Sequence, residues 1–325
     1  MKISGFDAQI TAALFDNTGA LFALGDGSVR FEGGEFSAAH DGAILCAAVH
    51  PSGDGVVTGG DDGRLIWHRR NEAGVLATAQ GPSKGQWIDA VDASAESGLI
   101  AFSAGKTLSV IDAKDAGFRR DFQHERTVSG VAFDPKGRRI ATSTYGGAAL
   151  WFARIAEQKP TFLKWAGSHT AVTFSPDGAF VITAMQDAQL HGWRIKDQKN
   201  LRMGGYPSKV RSMSFLSNGQ LLATSGAQGA VLWPFIGANG PMGREANEIG
   251  FDEGSLVVLV ASQPKHGLLA AGLNDGRVWL ADPAGQGLNF LKAERGAPIT
   301  ALAMSPDATR VAWADEDGNA GVATI

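Results

Sequence analysis

An all-β fold is what the 325-residue sequence predicts, and three observations carry that reading. Short apolar runs alternate with polar residues at period two and are enriched in β-branched side chains, with no helical periodicity to compete. Turn residues interrupt these runs roughly every ten positions. The 43 glycines are about twice the usual share, so the chain turns often.

Aligned on an apolar strand, a turn and a second apolar strand, eight segments recur: 13–31, 47–67, 90–112, 131–151, 172–193, 213–233, 258–280 and 302–325. Their first turns close at Gly19, Gly53, Gly98, Gly137, Gly178, Gly219, Gly267 and Ala308. The mean spacing of about 41 residues is that of four-stranded antiparallel propeller blades. One blade cannot hide both faces of its sheet, and stacking blades around an axis buries each face against a neighbour. The expectation is a single closed β-propeller over 1–325, with eight blades and seven as the alternative. The chain ends matter here. The eighth segment stops at Ile325 after its third strand, while "KISGF" (2–6) is a strand-like segment with no unit of its own. It is expected to complete the last blade. "GPSKGQ" (81–86) and "GANGPMGREANE" (237–248) read as surface connections, the second being the longest irregular insertion and a place to look for function.

Composition narrows the function classes. A net charge of −4 offers no clustered basic face, so no nucleic-acid partner is expected. The single Cys46, in "AILCAAV", excludes an intramolecular disulfide and reads as a small buried residue. "MKISGFDAQITAAL" has no continuous apolar core of a secretory signal, and "LVVLVA" (256–261) is too short to span a bilayer. A cytoplasmic protein, monomeric by itself and without a membrane partner, is expected.

The motifs "FSPDG" (174–178), "MSPDA" (304–308), "FDPKG" (133–137) and "VHPSG" (49–53) resemble WD40 repeats. So do "TGGDDGRLIW" (58–67) and "GLNDGRVWL" (272–280), and the similarity covers essentially the whole chain. The resemblance implies a hydrogen-bonded set in each blade: a His before the first strand, a hydroxyl on the second, an Asp in the next turn and a Trp on the third. His40 and His124 match the His position, Thr58 and Thr183 the hydroxyl, and Asp62, Asp187, Asp275 and Asp317 the turn Asp. Trp67, Trp151 and Trp233 fall one residue early, which is expected to turn them to the other face; Trp193 alone keeps the spacing. Packing, more than this polar set, is expected to hold most blades.

No nucleophile elbow, zincin, phosphate-loop or dinucleotide motif occurs, and "DEDG" (315–318) lacks the later acidic ligand of a calcium loop. No cofactor or metal is expected. His169 is placed at the start of an innermost strand as a partly exposed rim residue. Partner contact, or metal ligation helped by His191 or Met203, are its alternatives. In proteins similar to WD40 propellers, partners dock on the loops entering the first strand and the turns after the second. The matching positions are Trp87, Arg126, Tyr145, Trp165, His169, Gln186, Lys209, Arg211 and Asn274. Tyr145 is expected to project into solvent, whereas Trp87 and Trp165 read first as packed between blades. The function expected is a non-enzymatic scaffold or adaptor for another protein or peptide. The alternative is a propeller enzyme or metal-handling protein, for which the innermost strands offer mainly Asp89 and His169.

Overall fold

The computed structural model describes residues 2–3, 5–79, 86–283 and 287–325; positions 81–85 of the "GPSKGQ" connection lie outside them. Among the described residues every regular element is a strand, and no helix is long and apolar enough to cross a membrane. The chain begins with β1 (Lys2–Ile3), followed by β2 (Ile10–Asp16), β3 (Gly19–Leu24), β4 (Ser28–Phe31) and β5 (Phe36–Ala38). The next two repeats supply β6 (Ile44–Val49), β7 (Val56–Gly60), β8 (Arg64–Arg69) and β9 (Glu72–Thr78), then β10 (Ile88–Ser94), β11 (Leu99–Ala104), β12 (Thr107–Asp112) and β13 (Arg119–Gln123). After them run β14 (Val128–Phe133), β15 (Arg139–Phe152), β16 (Thr161–Phe174), β17 (Phe180–Met185), β18 (Leu190–Arg194) and β19 (Lys199–Met203). The remainder is β20 (Met213–Leu216), β21 (Leu221–Thr224), β22 (Ala230–Pro234) and β23 (Asn247–Ile249), then β24 (Val257–Ser262), β25 (Leu269–Leu273), β26 (Val278–Ala281) and β27 (Asn289–Lys292). It closes with β28 (Ile299–Met304), β29 (Arg310–Asp315) and β30 (Ala320–Thr324).

These strands form antiparallel propeller blades, in seven sheets rather than the eight expected: six of four strands and one of six. The cause is β16. Its first half pairs with β15, from Leu150↔Thr161 to Tyr145↔Ser168, and the backbone then runs without a break into the first strand of the next repeat. The repeats at 131–151 and 172–193 therefore share one sheet, of order β14-β15-β16-β17-β18-β19. The last sheet has the order β1-β30-β29-β28, with Lys2 opposite Gly321 and Ile3 opposite Ala320. The N-terminal strand thus supplies the edge that the C-terminal repeat lacks.

By internal packing the chain divides into Asp16–Phe174 and a unit made of Met1–Phe15 with Ser175–Ile325. In the 16–174 unit, Leu99, Leu108, Val110 and Phe122 of one repeat bury against Ile140, Ala149 and Trp151 of the next. In the other unit Leu216, Ala223 and Leu232 pack against Val257, Leu269 and Trp279 in the same way. Second strands such as β3, β11 and β17 are covered on both faces and buried throughout, which is why they read as unbroken apolar runs.

Polar sets reinforce three repeats, each built differently. His40 lies 3.0 Å through Nδ1 from Asp62 Oδ1 and 2.7 Å through Nε2 from Thr58 Oγ1. Trp67 is turned away as expected, its Nε1 donating to the Asp54 carbonyl, and the buried His68 faces inward instead. Trp151 and Trp233 overturn the same expectation. Trp151 is buried and donates from Nε1 to His124 Nε2 at 3.0 Å, while His124 Nε2 lies 3.0 Å from Thr142 Oγ1. Trp233 Nε1 donates to the hydroxyl of Tyr206, which is 2.7 Å from Thr224 Oγ1, so a tyrosine occupies the histidine position. Turn length explains the difference. Thr58 pairs with Ile66, but Thr224 pairs with Val231, a hairpin one residue shorter that returns the following Trp to the hydroxyl's face. The hydrogen bond from Thr142 Oγ1 to the Ala149 carbonyl marks the same short hairpin in β15. Gly147 makes it possible: its φ is +145°, and a Cβ there would fall 2.0 Å from the Leu163 carbonyl oxygen.

Candidate functional site

The site begins with an irregularity at the start of the innermost strands. In the 16–174 unit the register slips between Ile44 and Cys46, between Ile88 and Ala90, and between Val128 and Gly130. In the other unit it slips between Val257 and Leu259 and between Ile299 and Ala301. Each slip inserts one extra residue: Leu45, Asp89, Ser129, Val258 and Thr300 respectively. The preceding β-branched residue is a buried seat, and the inserted one is re-aimed out of the packed interior. Val210 and Arg211 repeat the step: Val210 is buried, and the N–H groups of Arg211 and Ser212 both donate to Ser225 Oγ.

This geometry corrects the reading of His169. It is wholly buried within β16, its Nε2 3.2 Å from the Trp165 carbonyl, and burial pushes its pKa below the usual histidine value. It stands 41 residues from both Val128 and Val210, so it fills a seat position and is no rim residue. Trp165 is half-buried between the Tyr145↔Ser168 and Gly147↔Lys164 pairs, where the register shifts. Trp87 is 60% exposed beside the Ile88 seat, contrary to the expectation that it packs between blades.

Five of the remaining six candidates gather by unit around two cavities, and the sixth, Gln186, connects to one of them. In the unit of 1–15 and 175–325, a cavity of about 650 Å³ is lined by Lys209, Arg211 and Asn274 together with Thr11, Val258, Thr300 and Glu316. Lys209 Nζ donates to Gln186 Oε1 at 2.8 Å, drawing in the fourth predicted residue. Asn274 is fixed by reciprocal bonds, its N–H to the Leu256 carbonyl and its Oδ1 accepting the Leu256 N–H at 2.8 Å. In the 16–174 unit, a cavity of about 510 Å³ is lined by Arg126, Tyr145, Trp151, Phe162 and Lys164. Tyr145 is 64% exposed at the hairpin tip, as expected, and Phe162 and Lys164 share one face of β16 two residues apart. The sequence reading missed Phe162, Lys164 and Thr300. An Ile or Val recurring at the head of the innermost strands is the signal that would have found Thr300, its immediate successor in β28.

Among the described residues no group of three or more His, Cys, Asp or Glu is placed to hold a metal. Asp89 bonds to Ser103 Oγ at 3.1 Å, and burial raises its pKa; it has no convergent second carboxylate in that bond set. The 237–248 insertion is pinned by Arg194, whose Nη1 donates to the Ala238 carbonyl and to Asn239 Oδ1.

Comparison with known proteins agrees with this architecture. The family model described as WD domain, G-beta repeat matches residues 34–68, the repeat that holds His40, Thr58 and Asp62. The chain is similar in structure to the β-propeller domain of Cps50 (Swd1) from Myceliophteria thermophila, with a TM-score of 0.67 over 88% of this chain and 98% of that one, at 15% identity. The chain is a β-propeller that carries a WD40 repeat at residues 34–68. In sequence the propeller is 25% identical over 232 residues to pre-mRNA-processing factor 19 homolog 2 of Arabidopsis thaliana, covering 66% of this chain and 43% of that protein. It is also 25% identical over 198 residues to pre-mRNA-processing factor 19 of Oryza sativa subsp. japonica, covering 58% and 37%. The propeller thus matches about two fifths of the length of these curated relatives.

Proposed function

We propose that this propeller is a non-enzymatic scaffold that holds another protein or peptide on its blade-end loops. One observation carries the reading: an aromatic groove open to solvent in the 16–174 unit. The Tyr145 and Phe162 rings stand exposed beside a cavity that Trp151 and Pro160 also line, and Arg126 and Lys164 lie on it. Such side chains bury a large area at modest entropic cost, and a groove preformed on β-hairpins needs little ordering on binding. WD40 propellers generally serve as interaction platforms, and that supports the reading at the level of the fold. The test is affinity purification from the native cell with the wild-type chain and with Tyr145→Ala/Arg126→Ala. A stoichiometric partner lost in the variant, with an unchanged melting curve, is the expected result. Identical partner sets would refute the groove.

A further inference from the structure

We infer that the cavity in the unit of 1–15 and 175–325 is a binding site for a carboxylate carried by a short peptide segment. The inference stands on observations separate from the aromatic groove. Its lining is rich in hydrogen-bond donors whose capacity the fold leaves unspent. Arg211 makes no ion pair and no side-chain hydrogen bond among the described residues, although ten other arginines form ion pairs. Lys209 spends one N–H on Gln186 and keeps two. Because Asn274 Oδ1 is occupied by the Leu256 N–H, the amide group left for a ligand is its NH2. Thr300 Oγ1 is shielded from solvent and has no hydrogen-bond partner among the described residues, which is costly for a hydroxyl unless something supplies one.

The backbone explains why these donors converge. Thr300 is the residue inserted by the slip in β28, and Arg211 follows the buried Val210 in the same way. Each is aimed away from its packed seat without moving the neighbouring core residue. Ile10, Val257 and Ile299, all buried, give the cavity its apolar wall. Glu316 is the one carboxylate on the lining and pairs with neither cation. Its presence favours a singly charged ligand group over a doubly charged phosphate. The ligand chemistry is therefore a carboxylate on a chain with some apolar bulk, and a volume of about 650 Å³ suits a short peptide segment.

The carboxylate can come from an acidic side chain or from a chain terminus, and two probes separate these sources. One is a fluorescein-labelled hexapeptide rich in Glu and blocked at its C-terminus; the other is a neutral hexapeptide with a free C-terminus. Binding is measured by fluorescence anisotropy on the full chain at low salt, with inorganic phosphate as competitor. Saturable binding of either peptide is expected, weakened at least tenfold by Arg211→Glu and about threefold by Thr300→Val. Lys136→Glu, a charge change at an exposed turn of the other unit that lines neither cavity, is expected to leave the affinity unchanged. The site is overturned if neither peptide binds, or if Arg211→Glu has no effect on a chain whose melting curve is intact. It is equally overturned if phosphate competes as tightly as the peptides bind, or if Lys136→Glu weakens binding as much as Arg211→Glu does.

Discussion

His68 occupies the place that the WD40 pattern gives to tryptophan, and its chemistry follows from that exchange. The ring is wholly buried and stacks on His40 with centroids 5.7 Å apart. Its Nδ1 lies 2.9 Å from Ser37 Oγ, and Nε2 has no partner among the described residues. Burial first, and the neighbouring His40 second, push its pKa down to about 4. In the unfolded chain the same group takes a proton from about pH 6.5 downward. Stability present above pH 6.5 is therefore lost as the pH falls towards 4, by an amount on the order of 3 kcal/mol from this residue. His50, His124 and His169 are displaced in the same direction by burial. Asp92, pushed up to about 6 by burial, acts in the opposite direction as the pH falls from there. His68→Phe is expected to flatten the decline of melting temperature between pH 6.5 and 4, and thermal unfolding across that range checks it. An unchanged slope would mean that the acid response lies in the other histidines. The inward turn of position 68 was legible from spacing, since Trp67 sits one residue early. The seat of His169 was not, because a polar ring stands there in the place that Ile or Val fills in other repeats.

At the scale of the element, hairpin length decides which face a tryptophan joins. The separation from hydroxyl to Trp is the same from Thr58 to Trp67, Thr142 to Trp151 and Thr224 to Trp233. The sequence therefore treats the three alike, and only the strand pairing separates the first from the others. Where the turn is short, the Trp meets a partner: His124 in one repeat, Tyr206 in another. Tyr206 carries no histidine signal, yet it stands 18 residues before Thr224 just as His40 and His124 precede their threonines. Tyr206→Phe removes the hydroxyl shared by Thr224 and Trp233. The expected cost is about 1–3 kcal/mol, read as a melting temperature lower by a few degrees. A variant as stable as the wild type would show that apolar packing alone holds that repeat.

Over the whole molecule, the all-β class and the period near forty were legible because each repeat carries its own turn residues and apolar strands. The missing fourth strand at Ile325 also pointed correctly to the N-terminus. The blade count was not legible, because the merging of two repeats depends on β16 running unbroken from Thr161 to Phe174, straight through Gly167 at φ +110°. Deleting residues 1–7 removes β1 and bares the edge of β30. A distinctly lower melting temperature is expected in differential scanning calorimetry, and an unchanged curve would show that this pairing contributes nothing to stability.

The extra residue at the head of so many inner strands has a wider consequence. Leu45, Asp89, Ser129, Val258 and Thr300 differ in size, charge and polarity, yet each follows a buried Ile or Val set in the same backbone step. Architecture and chemical identity are thus written at adjacent but separable positions. Such a frame can be given a new vocabulary one letter at a time, while the grammar that keeps it folded stays as it is.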